Sequence, residues 1–187
     1  MTELLNLLTA FGVSAPAGLN AYLPLLIVGL LARFTPLVRL NEPFTWLTNE
    51  WVLTTLTVLL LIEMLADKVP GIDHLNDLVQ TAVRPTAGAI LFAASSAAFQ
   101  EVHPAFALLL GVLAAGSVHV VKASARPAVT GLTFGLGTPF LSLAEDVVAA
   151  LMTLTAILAP ALVVVFVLVL AAVAFSVFHR RRRPALS

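Results

Sequence analysis

Apolar runs bounded by charges, proline and glycine divide the chain into segments long enough to be membrane helices. A short apolar stretch at 4–13 precedes a first span at 17–33, and the second covers 51–67. The third, 86–100, is short, and the fourth is 104–121. The fifth opens at Pro127 and runs to about 154, with an interruption near 135–139, and the sixth, 160–178, is almost wholly Val, Leu, Ala and Phe. The pattern predicts an all-α fold: a polytopic transmembrane helical bundle of about six spans forming one integral membrane domain over 1–187, with a basic tail at 179–187. The short connections between Glu101 and Pro104 and between Lys122 and Pro127 predict antiparallel neighbours.

The segment 69–83 has a different period. After a Pro70-Gly71 turn, Ile72, Leu75, Leu78, Val79, Ala82 and Val83 recur at helical spacing, with Asp73, Asn76, Asp77 and Gln80 on the other side. This predicts a short amphipathic helix lying at the membrane interface. In the long connection 34–50 and just after it, Trp46 and Trp51 suit an interfacial aromatic belt.

Composition agrees with a bilayer as the solvent. The chain has 187 residues, 60% hydrophobic and 11% charged, with a mean hydropathy of +1.03. Soluble domains are about half apolar and one quarter charged. Ten basic residues balance ten acidic ones, which argues against a nucleic-acid partner. The absence of cysteine excludes disulfides, thiolate metal sites and thiol nucleophiles. Met1-Thr2-Glu3-Leu4 carries an acid where a signal peptide would carry a base, so the first apolar segment is expected to be retained.

Basic residues set the expected orientation. Lys68, Arg84, Lys122, Arg126 and the run Arg180, Arg181, Arg182 and Arg183 follow the even-numbered spans, while only Arg33 and Arg39 lie on the opposite side. Both termini are therefore expected in the cytoplasm. The arginine run suits stop-transfer or contact with anionic lipid headgroups.

Two short patterns recur. Phe11-Gly12-Val13-Ser14-Ala15-Pro16 precedes the first span, and Phe134-Gly135-Leu136-Gly137-Thr138-Pro139 interrupts the fifth. Lys68 with Arg84-Pro85 is echoed by Lys122 with Arg126-Pro127. Gly12, Pro16, Gly135, Gly137 and Pro139 are the expected helix breaks, since proline removes a backbone donor and clashes with the preceding turn. Broken helices that meet at mid-depth are a recurring way to build a solute site; equally, proline kinks often only shape packing.

Charges at bilayer depth are costly and need a reason. Glu63 and Asp67 lie four apart on one helical face. With Asp73, His74 and Asp77 they form a candidate site for a divalent cation or a proton relay. The competing reading is an ion-pair network with Lys68, Arg84 and Lys122, preferred for Asp73 and Asp77, while Glu63 reads as functional. Lys68, Arg84, Lys122 and Arg126 are candidates for phosphate contact or charge pairing. Glu145 and Asp146 point about 100° apart on a helix, so one partner can meet only one of them squarely. Asn20 holds a similar place after Pro16 and can face them. His119 reads as a hydrogen-bonded structural histidine.

Three blocks carry a family resemblance: Gly18-Leu19-Asn20-Ala21-Tyr22-Leu23-Pro24-Leu25, Ile62-Glu63-x-x-Ala66-Asp67-Lys68-Val69-Pro70-Gly71-Ile72-Asp73-His74, and Thr81-x-x-Arg84-Pro85-Thr86-Ala87-Gly88-Ala89. On these the chain resembles the bacterial membrane family known as domain of unknown function 4126. The resemblance implies a small integral protein of the bacterial cytoplasmic membrane and no particular activity. A lysine followed by Arg-Pro also occurs in lipid-phosphate phosphatases, but the remaining motifs of those enzymes are missing here. The leading expectation is a carrier or channel for an ion or small polar solute, with Asn20, Glu63, Asp67, Glu145 and Asp146 as its site and a homo-oligomer as its form. The alternatives are a metal-dependent enzyme acting on a lipid headgroup and a non-transporting assembly protein.

Overall fold

The structure is a computed structural model that describes residues 2–66, 72–95, 103–134, 136–163 and 165. Every regular element among these is helical. In chain order they are α1 (Thr2–Ser14), a 3₁₀ turn (Ala15–Gly18), α2 (Tyr22–Phe34), a second 3₁₀ turn (Phe44–Thr48), α3 (Glu50–Ala66), α4 (Ile72–Ser95), α5 (Pro104–Thr133) and α6 (Thr138–Leu158). A further helical stretch starts at 160. Two of these helices, α5 and α6, are long and apolar enough to cross a membrane.

The first expected span is divided between the 3₁₀ turn and α2. α1 and α2 have 13 residues each, about 20 Å of helix against a hydrocarbon core of about 30 Å. They are arms of a hairpin. Along α1, Phe11 packs edge-on against Phe92 with ring centroids 4.8 Å apart. Ser14 Oγ donates to Gly88 O at 2.8 Å, and Gly18 lies against Val118 and His119. The arm therefore runs antiparallel to α4 and parallel to α5. α2 then returns, so that Gly29 reaches Leu47 and Leu53. Asn6 and Thr9 at the start of α1 share a cavity with Pro36, Leu37, Arg39, Asn41, Ser95 and Ile157. The beginning of α1 and the connection after α2 thus occupy one end of the bundle, here the loop end. The hairpin tip, Ala15 to Ala21, reaches the middle of α5.

The turn at the tip follows from Ser14-Ala15-Pro16. Pro16 stands in the first positions of the 3₁₀ turn, and its carbonyl accepts from Leu19 and Asn20. Asn20 then starts α2 by accepting Tyr22 N and Leu23 N at its Oδ1, at 3.1 and 2.9 Å, which satisfies two of the donors a helix start leaves open. Gly12 is not a break. It lies inside α1, where an added Cβ would come 2.9 Å from Val163 Cγ2, so its role is close packing.

Two further boundaries differ from the sequence pattern. The amphipathic segment and the third span form one helix, α4, with Pro85 inside it. The expected turn between Lys122 and Pro127 is also absent, because α5 runs through Pro127 to Thr133. An interior proline costs about 3 kcal/mol, yet α4 and α5 are the most extensively packed pair of elements in the protein. They approach closely at Gly88 and Gly111, where a Cβ on Gly88 would lie 2.7 Å from Gly111 O. The chain turns instead at Phe134–Gly137. Phe134 adopts φ 51° and its N–H bonds Thr130 O, a left-handed helix ending. Gly137 precedes α6, and Pro139 lies in that helix's first turn, where proline is tolerated. Gly135 lies outside the described residues.

The connection 35–49 is tied down at the loop end. Asn41 donates its backbone N–H to Ala94 O at 3.0 Å and its side-chain amide to Ala93 O at 3.2 Å, serving the last carbonyls of α4. Trp46 and Trp51 are exposed here.

Candidate functional site

Around the hairpin tip the interior is polar. Asn20, Glu63, Gln80, Arg84, His119, Lys122, Arg126, Thr138, Ser142 and Asp146 are all buried. Five elements contribute: the tip, α3, α4, α5 and α6. Arg84 lies near the middle of α4 and His119 near the middle of α5, so these groups sit midway along the longest helices.

One side of the cluster is centred on Arg84, which is fully buried. Its Nη2 donates to Glu63 Oε1 at 3.1 Å and its Nη1 to His119 Nδ1 at 3.0 Å. A guanidinium can only donate. The Nδ1 of His119 must therefore accept, and its proton sits on Nε2, which lies 3.1 Å from Thr81 Oγ1. The geometry calls for a neutral imidazole held between two helices. Tyr22 lies beside Glu63 and Gln80.

The other side joins the tip to α5 and α6. Asn20 Nδ2 donates to Asp146 Oδ1 at 2.9 Å. Glu145 Oε2 accepts from Lys122 Nζ at 3.0 Å and from Arg126 Nη2 at 2.9 Å. Lys122 Nζ also donates to Leu19 O in the tip. His119, Lys122 and Arg126 recur at helical spacing on one face of α5, linking the two sides. The described cluster holds three cations, Arg84, Lys122 and Arg126, and three carboxylates, Glu63, Glu145 and Asp146. Pairing of this kind is what allows charge to be buried.

The structure thus brings together Asn20, Glu63, Arg84, Lys122, Arg126, Glu145 and Asp146. Arg84, Lys122 and Arg126 stand inside helices, not in loops, so they leave the tally of loop charges on which orientation depends. Asp67 and Lys68 lie outside the described residues, as do the side chains of Asp73, His74 and Asp77. Of the candidate metal ligands only the Glu63 side chain is described, and it faces Arg84. Among the described residues no group of three His, Asp or Glu side chains is placed to hold a metal ion. Sequence reasoning gave His119 no functional place and missed Thr81, Ser14, Thr138 and Ser142. Small hydroxyl residues at helical spacing carry little signal until the opposing helix is known.

With the geometry in place, comparison with known proteins adds one finding. The sequence profile described as Domain of unknown function (DUF4126) matches residues 7–180. The chain belongs to this family. No curated protein and no solved structure matches it. The DUF4126 match takes in every residue of the buried cluster.

Proposed function

We propose that this DUF4126 protein is a carrier for a small polar solute or ion in the bacterial cytoplasmic membrane, with the cluster between the hairpin tip and α3–α6 as its binding centre. One observation carries the reading: a half-length helical hairpin delivers Leu19 O and Asn20 to a mid-helix cluster of buried cations and carboxylates. Broken helices that expose backbone and caps at depth are a common construction for such sites. Exposed apolar side chains along the outer faces of α5 and α6, such as Leu113, Val120, Val147 and Leu151, support lipid as the surrounding medium.

In this reading the hairpin enters and leaves on one side, while α3, α4, α5, α6 and the segment 160–178 cross. The connection after Ala66 carries Lys68 and the tail carries four arginines, whereas Arg33 and Arg39 sit at the loop end. That bias puts the loop end outside, and with it the amino terminus. Only the carboxy-terminal tail then faces anionic lipid in the cytoplasm.

A cluster of paired charges also serves to weld helices together, which favours a non-transporting assembly protein as the second reading. Flux decides between them. The purified protein in liposomes is assayed for movement of protons, alkali cations and small neutral or zwitterionic solutes, beside Glu63→Gln and Asp146→Asn. A carrier gives flux that both variants lose while still eluting as folded protein. Absence of flux across the panel, with folding that depends on both acids, supports the assembly reading.

A further inference from the structure

The inward face of α6 carries Thr138, Ser142, Asp146 and Thr153, all buried. Thr138 Oγ1 lies 3.3 Å from Thr130 Oγ1, and Thr153 Oγ1 bonds within its own helix to Ala149 O. Ser142 differs: it is 1% exposed and its Oγ has no hydrogen-bond partner among the described residues. A buried hydroxyl without a partner costs about 1–3 kcal/mol, so its retention needs a reason. It lies one turn from Asp146, on the face that meets Asn20. After Thr153 the buried face continues through Ala156, and the half-buried Ile157 beside it lines the cavity of about 480 Å³ at the loop end. Among the described residues Asn6, Thr9, Arg39, Asn41 and Ser95 supply the polar lining of that cavity, with no carboxylate among them. Val13, Val28 and Ile157 form its apolar lining nearest the hairpin tip.

We propose that the inward face of α6 lines the solute's route, and that the loop-end cavity is its entry, closed by a collar of Val13, Val28 and Ile157. Among the described residues the lining has one cation, several amide and hydroxyl groups, and no acid. The entry therefore selects a small polar solute without net positive charge. Ser142 is the hydroxyl this solute, or the water travelling with it, meets beside Asp146. This inference rests on the carrier reading and names its path and its substrate class.

The chain has no cysteine, so single cysteines report water access without background. Ser142→Cys, Thr153→Cys and Asn6→Cys are compared with the outward Val147→Cys and Leu151→Cys in liposomes, using membrane-impermeant methanethiosulfonates of either charge. Because only the hydrated thiolate reacts readily, Ser142→Cys and Thr153→Cys should react about tenfold or more faster than the outward pair. Val28→Ala should further speed Thr153→Cys from the loop side, and Asn6→Cys should prefer the anionic reagent. Equal rates on the two faces of α6 overturn the route, an unchanged rate in Val28→Ala overturns the collar, and preference for the cationic reagent overturns the substrate class. Melting temperature confirms that each variant is folded, and Thr138→Cys reads the same face if Ser142→Cys is not. Labelling needs no flux: labelled α6 without transport overturns only the carrier reading, and transport without labelling only the route.

Discussion

Asn20 and Asp146 are separated by 126 positions in the chain, and their side chains meet at 2.9 Å in the protein interior. The same Asn20 caps α2 through its Oδ1, so one amide serves both the turn and the contact. The two halves can be separated by substitution. Asn20→Ser keeps a capping oxygen and gives up the amide donor, whereas Asn20→Ala gives up both. Loss of a cap alone costs about 1 kcal/mol. Asn20→Ala should therefore melt below Asn20→Ser in the same detergent, with both below wild type. Equal melting temperatures for the two variants would show that the cap contributes nothing.

The Arg84–Glu63 pair is almost completely buried, with side chains 0% and 1% exposed. Removing one member leaves the other charge in a medium that cannot solvate it, at a cost of about 3–5 kcal/mol. Glu63→Leu and Arg84→Met should each destabilise the protein severely, and the double variant should be closer to wild type than the sum of the two. A double-mutant cycle on chemical or thermal unfolding reads this directly. Additive losses would mean that the two residues do not act as a pair.

Much of this site was legible before the fold was known, because acids and bases in apolar helices are expensive and therefore conspicuous. Glu63, Glu145 and Asp146 stand out on that ground, and Asn20 by its place after Pro16. The pairing is legible only in part. Glu145 and Asp146 point in different directions, and accordingly Glu145 faces Lys122 and Arg126 while Asp146 faces Asn20. Helix ends were harder to read. Pro85 and Pro127 look like boundaries, but a packed partner helix offsets their cost. The boundary at Phe134 rests on a left-handed residue that is not glycine. The hairpin was legible only as a break at Pro16, since 17–33 is as long as a crossing and nothing local shows that α2 returns beside α1.

Gly18 seats the hairpin tip on α5. A Cβ there would fall 2.7 Å from Val118 Cβ and 2.8 Å from His119 N, and backbone cannot move aside as a flexible side chain does. Overpacking of this kind costs about 1–3 kcal/mol. Gly18→Ala should lower the melting temperature and pull Leu19 O away from Lys122. By contrast Gly131, with nothing within 4 Å of an added Cβ, should tolerate alanine without loss. A Gly18→Ala variant as stable as Gly131→Ala would mean that the tip does not rest on α5.

The hairpin also makes a claim about sidedness that a single crossing contradicts. If 17–33 crossed the membrane, Asn6 and Leu37 would lie on opposite faces. In the structure both line one cavity, and the arms between them are each about 20 Å long. Cysteines placed at Asn6 and at Leu37 in intact cells should therefore react with an impermeant maleimide from the same side. A cysteine at Leu136, in the turn between α5 and α6, should react from the other. Leu136 is 79% exposed and Leu37 56%, so neither result depends on unfolding. Labelling of positions 6 and 37 from opposite faces would restore a crossing, and would remove the half-length hairpin on which the proposed binding centre depends. Labelling from one face fixes the amino terminus on the side of the 35–49 connection and leaves the crossing to α3 and the helices after it.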